Sequence, residues 1–593
     1  MISFAAPWAL AGLIAAAIPV LLHLVARREP PTVEFPAVRY LEDTARRHQR
    51  RMHLQHWLLL VVRTLLIIAV VLAAAGPSRA GGGRGAHAPA ALVVILDNSL
   101  SSAAISDGVP LLEPLRAAAR DALARATSSD DLWLVAADGV PRRGGPSVLR
   151  ALVDSLAPFP GRLDLGAALA LARELLATTA RPGGILVLSD LQASALSAAD
   201  GTSVLVAAPA APAPRNLGLA GIETGPQPWT GPGRLTVSVA GESDGEWPVT
   251  LALDGRPLRQ ALVGPEGPAS AIVAVTEPGW HVVEARLDPD ELRLDDDARI
   301  AIRVADPVGV TWPAEDRHLA AASEVLLANR RIVRGDQVTL DGLGRGASVV
   351  LPPADPASLG ALNRALAARG VAWRFGPVAG GPVRTDSAAL LDPQEIRRRH
   401  RLEPVGGSPS GVLVRAGGEP WLVRSGDVVL VGSRLDPEWT SLPVAAAFMP
   451  FMDALVNRVA RGEISRVAGW PGGSVMLPDV VTTVVTPAGP RTVEGGGRFT
   501  PAARGLHWLL AGADTIGVLE SNSDPRESDL RRAGSELVSS LWPGARLVAA
   551  DQAGPLAFSL AGRTDLRAPL LWAALVLGLL DLALGGGWRR RGA

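Results

Sequence analysis

The chain of 593 residues contains no Cys, and all 58 of its basic residues are Arg. Without Cys there is no disulfide, no thiolate metal site and no Cys nucleophile, and redox compartment leaves no trace in the sequence. Without Lys, a phosphate-cradling Gly-x-x-x-x-Gly-Lys loop cannot be built, and GLGRG at 342–346 is not Gly-x-Gly-x-x-Gly. No Gly-x-Ser-x-Gly elbow is present. His281, His318, His400 and His507 are scattered, with none in a His-Glu-x-x-His spacing. Net charge is zero, which removes any strong pull toward nucleic acid. These absences predict that the chain is not an enzyme and assign no catalytic residue.

Apolar residues, by contrast, reach 48%, above the soluble average. Three runs have the roughly 20 residues needed to span a bilayer. They are PWALAGLIAAAIPVLLHLVA at 7–26, WLLLVVRTLLIIAVVLAAA at 57–75 and APLLWAALVLGLLDLALGGG at 568–587. A cleaved signal peptide is the alternative for the first, but no basic residue precedes that run, and Arg27 and Arg28 follow it. Arg27, Arg28, Arg39, Arg46, Arg47, Arg50 and Arg51 fill the short loop between the first two runs, and Arg589, Arg590 and Arg591 end the third. Excess Arg in short flanks marks the cytoplasmic side. The expected topology therefore has the N-terminus outside, the C-terminus inside and residues 76–567 extracytoplasmic. Arg63 and Asp581 lie within spans at similar depths, about 9 and 12 Å from the cytoplasmic end at helical rise. An intramembrane charge is costly unless it pairs or snorkels, so these two either clamp two helices together or reach water separately.

The exterior region divides by pattern. Ser78–Ala90 reads as a Gly/Ala/Pro linker. From 91 to 208, strand-like LVVIL, LWLVAA, ILVLSD and SVLVAA alternate with helical stretches, the signature of a parallel sheet covered on both faces. From 216 to 304 the period falls to two with Gly/Pro turns, which predicts a β-sandwich. From 306 to 463 strands and helices alternate again, as a second α/β unit. A β-rich piece with a polar loop covers 469–533. The fold class is thus an α/β multidomain membrane protein: a doubly wound sheet, a β-sandwich, a second α/β domain and three transmembrane helices.

The stretch ALVVILDNSLSS, Ala91–Ser102, carries the most specific chemistry. Ligands of open parallel sheets bind at the carboxyl ends of strands. There Asp97, Ser99 and Ser101 could turn a carboxylate and two hydroxyls toward one point, and Asp190 ends a second core strand. Hard oxygen donors of this kind suit Mg²⁺. Alternatively, Asp97 and Ser99 cap backbone N–H groups of a loop or helix start. The pattern resembles the metal-ion-dependent adhesion site (MIDAS) of the von Willebrand factor A domain. That resemblance implies a metal site of Asp97, Ser99, Ser101 and Asp190 holding Mg²⁺ or Mn²⁺, with a partner carboxylate completing the coordination. The family's fifth position is a Thr, and Leu163 stands there; Asp164 next to it is a candidate substitute.

The N-terminal phrases MISFAAPWALAGLIAAAIPVLLHLVARREP, VEFPAVRYLED and RRMHLQHWLLLVVRTLLIIAVVLAAAGP resemble the aerotolerance (Bat) family, BatA type, over residues 1–77. GVLESNSDPRESDLRRA, Gly517–Ala533, resembles a phrase of its long members. The resemblance implies a bacterial inner-membrane protein with its bulk in the periplasm. It implies protein binding in an assembly or stress-tolerance system, with a MoxR-type AAA+ ATPase and other A-domain or tetratricopeptide proteins as partners. The Arg-rich loop 27–56 is the expected ATPase contact, or simply a topology determinant that touches anionic lipid. The second α/β unit, 306–463, is similar to class I glutamine amidotransferase-like folds without their Cys. An envelope hydrolase or amidotransferase-like enzyme is therefore the alternative function. The cluster Asp288, Asp290, Asp295, Asp296 and Asp297 is either a Ca²⁺ site or a solvated turn. SNSDPRESDLRR, Ser521–Arg532, is either a recognition loop or an exposed connection.

Overall fold

The computed structural model describes residues 2–4, 7–25, 42–80, 89–199, 204–242, 245–264, 267–388, 390–406, 411–462, 466–558, 563–565 and 567–589. It is a mixed α/β architecture of several sheets. Among the described residues, two helical segments are long and apolar enough to cross a membrane, Trp57–Ala75 and Arg567–Leu584. The run expected as one span at 7–26 instead forms a 3-10 stretch, Pro7–Ala17, followed by an α-helix, Ile18–Val25. Pro19 falls in the first turn of that α-helix, where a missing N–H is tolerated and the chain can change helical type. The 27–56 segment is only in part a loop: its second half continues the following span as one helix, Glu42–Ala75. Arg27, Arg28, Arg39, Arg590 and Arg591 lie outside the described residues.

The two long helices pack against each other. Arg63 Nε donates to Asp581 Oδ1 at 2.8 Å, so the two charges carried by these apolar helices are paired with each other. Just beyond them Ile2–Phe4, Pro77–Ala80 and Arg563–Asp565 form a three-stranded antiparallel sheet. Part of the segment expected as a flexible linker is therefore a strand. It ties together the beginning and the end of the large region between the helices.

A six-stranded sheet forms next. Its order from edge to edge is Arg546–Ala549, Val204–Ala208, Gly183–Leu188, Ala91–Leu96, Asp131–Val135 and Pro141–Arg143. All neighbours are parallel except the last pair. Every residue of Ala91–Leu96 is buried, because the strand is covered on both faces. Leu92, Val94 and Leu96 face a core shared with the helices Leu112–Ala124, Pro146–Ser155 and Ala550–Leu556. Ala91, Val93 and Ile95 face a core shared with the helix Leu165–Ala177 and with Val538 and Trp542.

The unit expected at 91–208 therefore does not end at 208. Its edge strand and two of its helices, Ser535–Leu541 and Ala550–Leu556, come from the far end of the chain. Everything from the sandwich to the polar loop is inserted before that last strand. The stretch 535–558 is too short to announce a strand whose Arg546 pairs with Leu205, 341 residues earlier, about the least local contact a sequence can hide.

Inside the insertion, two antiparallel sheets share one core, with Leu219, Leu235 and Val273 on one side and Val249, Val283 and Ile300 on the other. A seven-stranded mixed sheet follows, running from Ile332–Arg334 at one edge to Val412–Ala416 at the other. A five-stranded sheet then forms from 467–521.

Candidate metal centre

The strand Ala91–Leu96 is in the middle of the six-stranded sheet, and Asp97 prolongs its ladder by donating its N–H to Leu188 O at 2.8 Å. The Asp97 side chain is buried, 1% exposed. Its Oδ1 accepts Ser99 N at 3.0 Å, and its Oδ2 accepts the Ser189 hydroxyl at 2.6 Å. Asn98 fixes the loop from behind, donating to Ala157 O and accepting Ala137 N. Leu100–Ala103 then coils into a 3-10 turn. That turn brings Ser99 Oγ and Ser101 Oγ to 3.2 Å from each other. Asp190 follows Ser189 at the carboxyl end of the adjoining strand, 5% exposed, with Oδ2 buried and without a hydrogen-bond partner. The four residues read from the sequence, Asp97, Ser99, Ser101 and Asp190, thus converge at one sheet edge, as strand-end positions in a parallel sheet should.

A fifth group arrives from an unexpected place. Glu527 Oε2 accepts the backbone N–H of Ser101 at 3.1 Å. Glu527 is 1% exposed, and its Oε1 is buried without a hydrogen-bond partner. It is delivered by a short 3-10 turn, Pro525–Glu527, capped by Asp524, which accepts Arg526 N at 3.0 Å. The polar run 521–532 is neither an exposed connection nor a free recognition loop. Ser521, Ser523, Asp524, Glu527 and Ser528 are all buried. Gln192 Nε2 donates to Glu527 O and Asp529 O, and Ala533 N donates to Leu191 O. Leu191 reaches these bonds with φ of +57°, a left-handed conformation that costs a branched aliphatic residue about 1–3 kcal/mol. The contacts with the docked segment offset that strain. Polar composition suggested exposure; what the sequence did not reveal is that these groups are held against the six-stranded domain.

Two further expectations are settled by geometry. Asp164 does not substitute at the site: it caps the helix Leu165–Ala177, with Oδ1 accepting Ala167 N at 2.9 Å and the Ser197 hydroxyl at 2.7 Å. Leu163 is 5% exposed and packs in the core with Val93 and Ile95. Three of the scattered histidines serve locally. His281 pairs with Asp254, His400 stacks on Trp439, and His507 bonds Ala503 O.

Incompletely balanced charge distinguishes this edge: burial outweighs the lowering of Asp97 by Arg162 and of Asp190 by the Ser101 hydroxyl and Arg532. Burial pushes Asp97 above its ordinary value, against the bonds from Ser189 and Ser99. Asp190 is pushed up by burial and then by the charge of Asp97. Glu527 is pushed up to about 8, by burial first and by Asp97 next. Arg162 and Arg532 are the nearby cations, but their hydrogen bonds go to main-chain oxygens. Arg162 bonds Ser194 O, and Arg532 bonds Asp190 O, Pro209 O and Ala211 O. Three buried carboxyls, two of them with an orphaned oxygen, and two hydroxyls are a donor set that fits a hard divalent cation. Leu163, at the family's fifth position, offers no oxygen, and Glu527 brings a further buried carboxyl to the edge from the insertion.

The arrangement defines a membrane-associated α/β protein with a cluster of buried oxygens at a sheet edge. Residues 1–77 match the family model BatA, described as aerotolerance regulator N-terminal. No curated protein matches the chain. Among solved structures, the chain is similar to a β-glucosidase from Erythrobacter marinus at 12% identity, with 42% of this chain and 50% of that one covered and a TM-score of 0.13. It is also similar to SGBP-B of the Bacteroides ovatus mixed-linkage glucan utilization locus, in complex with a mixed-linkage heptasaccharide. There identity is 9%, coverage is 49% and 63%, and the TM-score is 0.10. The chain thus spans less than two thirds of either structure, and neither likeness bears on fold or function.

Proposed function

We propose that the chain is a bacterial inner-membrane protein whose extracytoplasmic part carries a von Willebrand A-like domain that binds protein and catalyses no reaction. Three spans, at 7–26, 57–75 and 568–587, hold it, with the C-terminus in the cytoplasm. A MoxR-type AAA+ ATPase is the cytoplasmic partner, met through the Arg-rich 27–56 segment. A-domain or tetratricopeptide proteins are the partners on the other side.

The observation that carries this reading is the convergence of Asp97, Ser99, Ser101 and Asp190 at the carboxyl edge of the six-stranded sheet. Mg²⁺ or Mn²⁺ would be held by these four, and when bound it offers a positive charge to one more carboxylate. Glu527 stands where that carboxylate would come from, on the Ser101 amide. The site is therefore gated in cis: a partner's Asp or Glu reaches the metal only when the 522–533 segment withdraws.

The test is calorimetric titration of Mg²⁺ and Mn²⁺ into the purified full-length chain, with Asp97→Ala and Glu527→Gln beside it. The Glu527→Gln side chain keeps an acceptor for Ser101 N and replaces the second carboxylate oxygen with an NH₂ donor. Binding that vanishes in Asp97→Ala and weakens about tenfold or more in Glu527→Gln supports both the metal and the gate. Binding unchanged in Glu527→Gln removes the gate and leaves the metal. No binding in the wild type removes both.

A further inference from the structure

A second group of acids has the features of a cation site more fully than the first. Asp290, Asp295 and Asp296 lie on the connection between the strands Gly279–Leu287 and Asp297–Val304 of the sandwich. One carboxylate oxygen from each falls within 4.8 Å of the others. Two oxygens on opposite sides of Ca²⁺ are separated by about 4.6–5.2 Å, twice the bond length. The five acids of this stretch are not equivalent. Asp288 is exposed, and Asp297 is held by Arg504, with Nη2 to Oδ1 at 3.0 Å. Asp295 is fully buried and Asp296 is 8% exposed.

Hydrogen bonding satisfies only part of the group. Asp290 Oδ1 accepts Leu292 N and its Oδ2 accepts Leu217 N. Asp295 Oδ2 accepts Asn216 Nδ2 at 2.8 Å, but its Oδ1 is buried without a partner. The Asp290 amide tempers the charge on Asp296, yet neither buried Asp296 oxygen receives a well-formed hydrogen bond. Native proteins rarely leave three carboxylate oxygens in this state. The charges acting most strongly on the group are themselves acidic: Glu291 on Asp290, Asp290 on Asp295, and Asp290 with Asp295 and Asp297 on Asp296. Burial leads the upward push on all three, and Asp296 is held at about 7. Gly218 keeps the space open, since a Cβ there would collide with Asp295 Oδ2 and Ser528 Oγ.

We propose that Asp290, Asp295 and Asp296 bind Ca²⁺, and that this ion fastens the insertion to the six-stranded domain. Ca²⁺ suits the site better than Mg²⁺, because three carboxylates on an irregular loop provide many oxygens without octahedral order. The location gives the ion its consequence. Glu291 O accepts Ile105 N at 2.9 Å, and Leu292 packs with Leu100, Ala104, Leu111 and Leu530. Leu100 and Ala104 belong to the turn that presents Ser99 and Ser101, and Leu530 belongs to the segment that presents Glu527. Asn216 bonds both Asp295 and Ser528 O. Ca²⁺ thus braces the wall behind the first site without touching it.

The experiment uses the full-length chain, stripped with chelator and titrated with CaCl₂ by calorimetry, with thermal unfolding in Ca²⁺ and in EGTA. Asp296→Asn keeps the shape and removes one charge; Asp97→Asn leaves this site intact. The expected result is Ca²⁺ binding in the wild type and in Asp97→Asn, weakened about tenfold or more in Asp296→Asn. The unfolding midpoint rises with Ca²⁺ in the first two chains and stays put in the third. Ca²⁺ binding that survives Asp296→Asn but fails in Asp97→Asn would assign the ion to the other site and overturn the proposal. So would a wild type whose midpoint ignores Ca²⁺ and lies below that of Asp296→Asn, since the acids would then be a buried neutral cluster.

Discussion

The protein contains two sheets whose parallel strands end in acids, and they settle those acids in opposite ways. In the seven-stranded sheet, Asp316 follows the strand Val308–Thr311 and Asp341 follows Val338–Leu340. Arg434 comes from beyond a third strand, Val428–Val431, and lies between them. Its Nη2 is 3.0 Å from Asp316 and 3.5 Å from Asp341, and Nη1 donates to Pro352 O. That edge carries its own counter-charge. In the six-stranded sheet Asp97, Asp190 and Glu527 meet at the same relative place, and the nearby guanidiniums of Arg162 and Arg532 are committed to carbonyl oxygens. A strand-end acid marks a site only when the fold has not already neutralised it.

The largest effect is expected where the neutralisation is internal. Arg434→Met strands Asp316 and Asp341 without their cation. The three side chains are part-buried, so the cost lies between about 1 kcal/mol for an exposed pair and about 3–5 kcal/mol for breaking a buried one. The unfolding midpoint of the seven-stranded unit should fall steeply, and Mg²⁺ should not restore it. If Mg²⁺ does restore it, the two edges are interchangeable and the contrast between them is lost.

The contrast also explains what could be read from the sequence. ALVVILDNSLSS and ILVLSD each place their acid by a local rule, one buried strand and the next residue, so Asp97, Ser99, Ser101 and Asp190 were legible. Glu527 was not, because it is 426 residues from Ser101 and its partner is a backbone amide that any residue could offer. The same holds for Arg546–Ala549, whose pairing with Val204–Ala208 no periodicity encodes. Alternation and period-two stretches pointed to a mixed α/β chain with several sheets, while nothing in 91–208 announces that its sheet is closed by a returning segment. The acids at 288–297 were legible as a cluster. Which of them are buried depends on Asn216, Leu217 and Ser528, far apart in sequence and adjacent only in the fold.

A smaller effect, distinguished by its sign, is expected at the unneutralised edge. Asp190→Asn removes one of three buried carboxyls, and its effect is read above pH 8, where Asp190, held at about 7, and Glu527, held at about 8, carry their charges. Without metal it should stabilise the chain by about 1 kcal/mol, the scale of one unit of differential charge interaction. With Mn²⁺ at saturating concentration the order should reverse, because the wild type then gains binding energy that the variant lacks. Thermal midpoints of both chains, with Mn²⁺ and with EDTA, read the crossing. Parallel curves would mean that Arg162 and Arg532 already balance the site, as Arg434 does in the other sheet.

The smallest effect concerns the residue that departs from the adhesion-site pattern. Leu163 is buried in the core that holds Val93, Ile95 and Val135, so Leu163→Thr loses apolar contact and puts a hydroxyl near that core. A cost of about 1–3 kcal/mol follows from the lost methyl groups and the polar burial. By the adhesion-site resemblance the hydroxyl stands at the family's fifth ligand position, and on that reading Mn²⁺ affinity should rise severalfold in calorimetry. The combination of Leu163→Thr with Glu527→Gln then separates two roles. If the new hydroxyl recovers the affinity lost with the carboxylate, Glu527 serves as the missing ligand. If it does not, Glu527 contributes through its position on the Ser101 amide, and the gate rather than the ligand count is what the insertion brings to this edge.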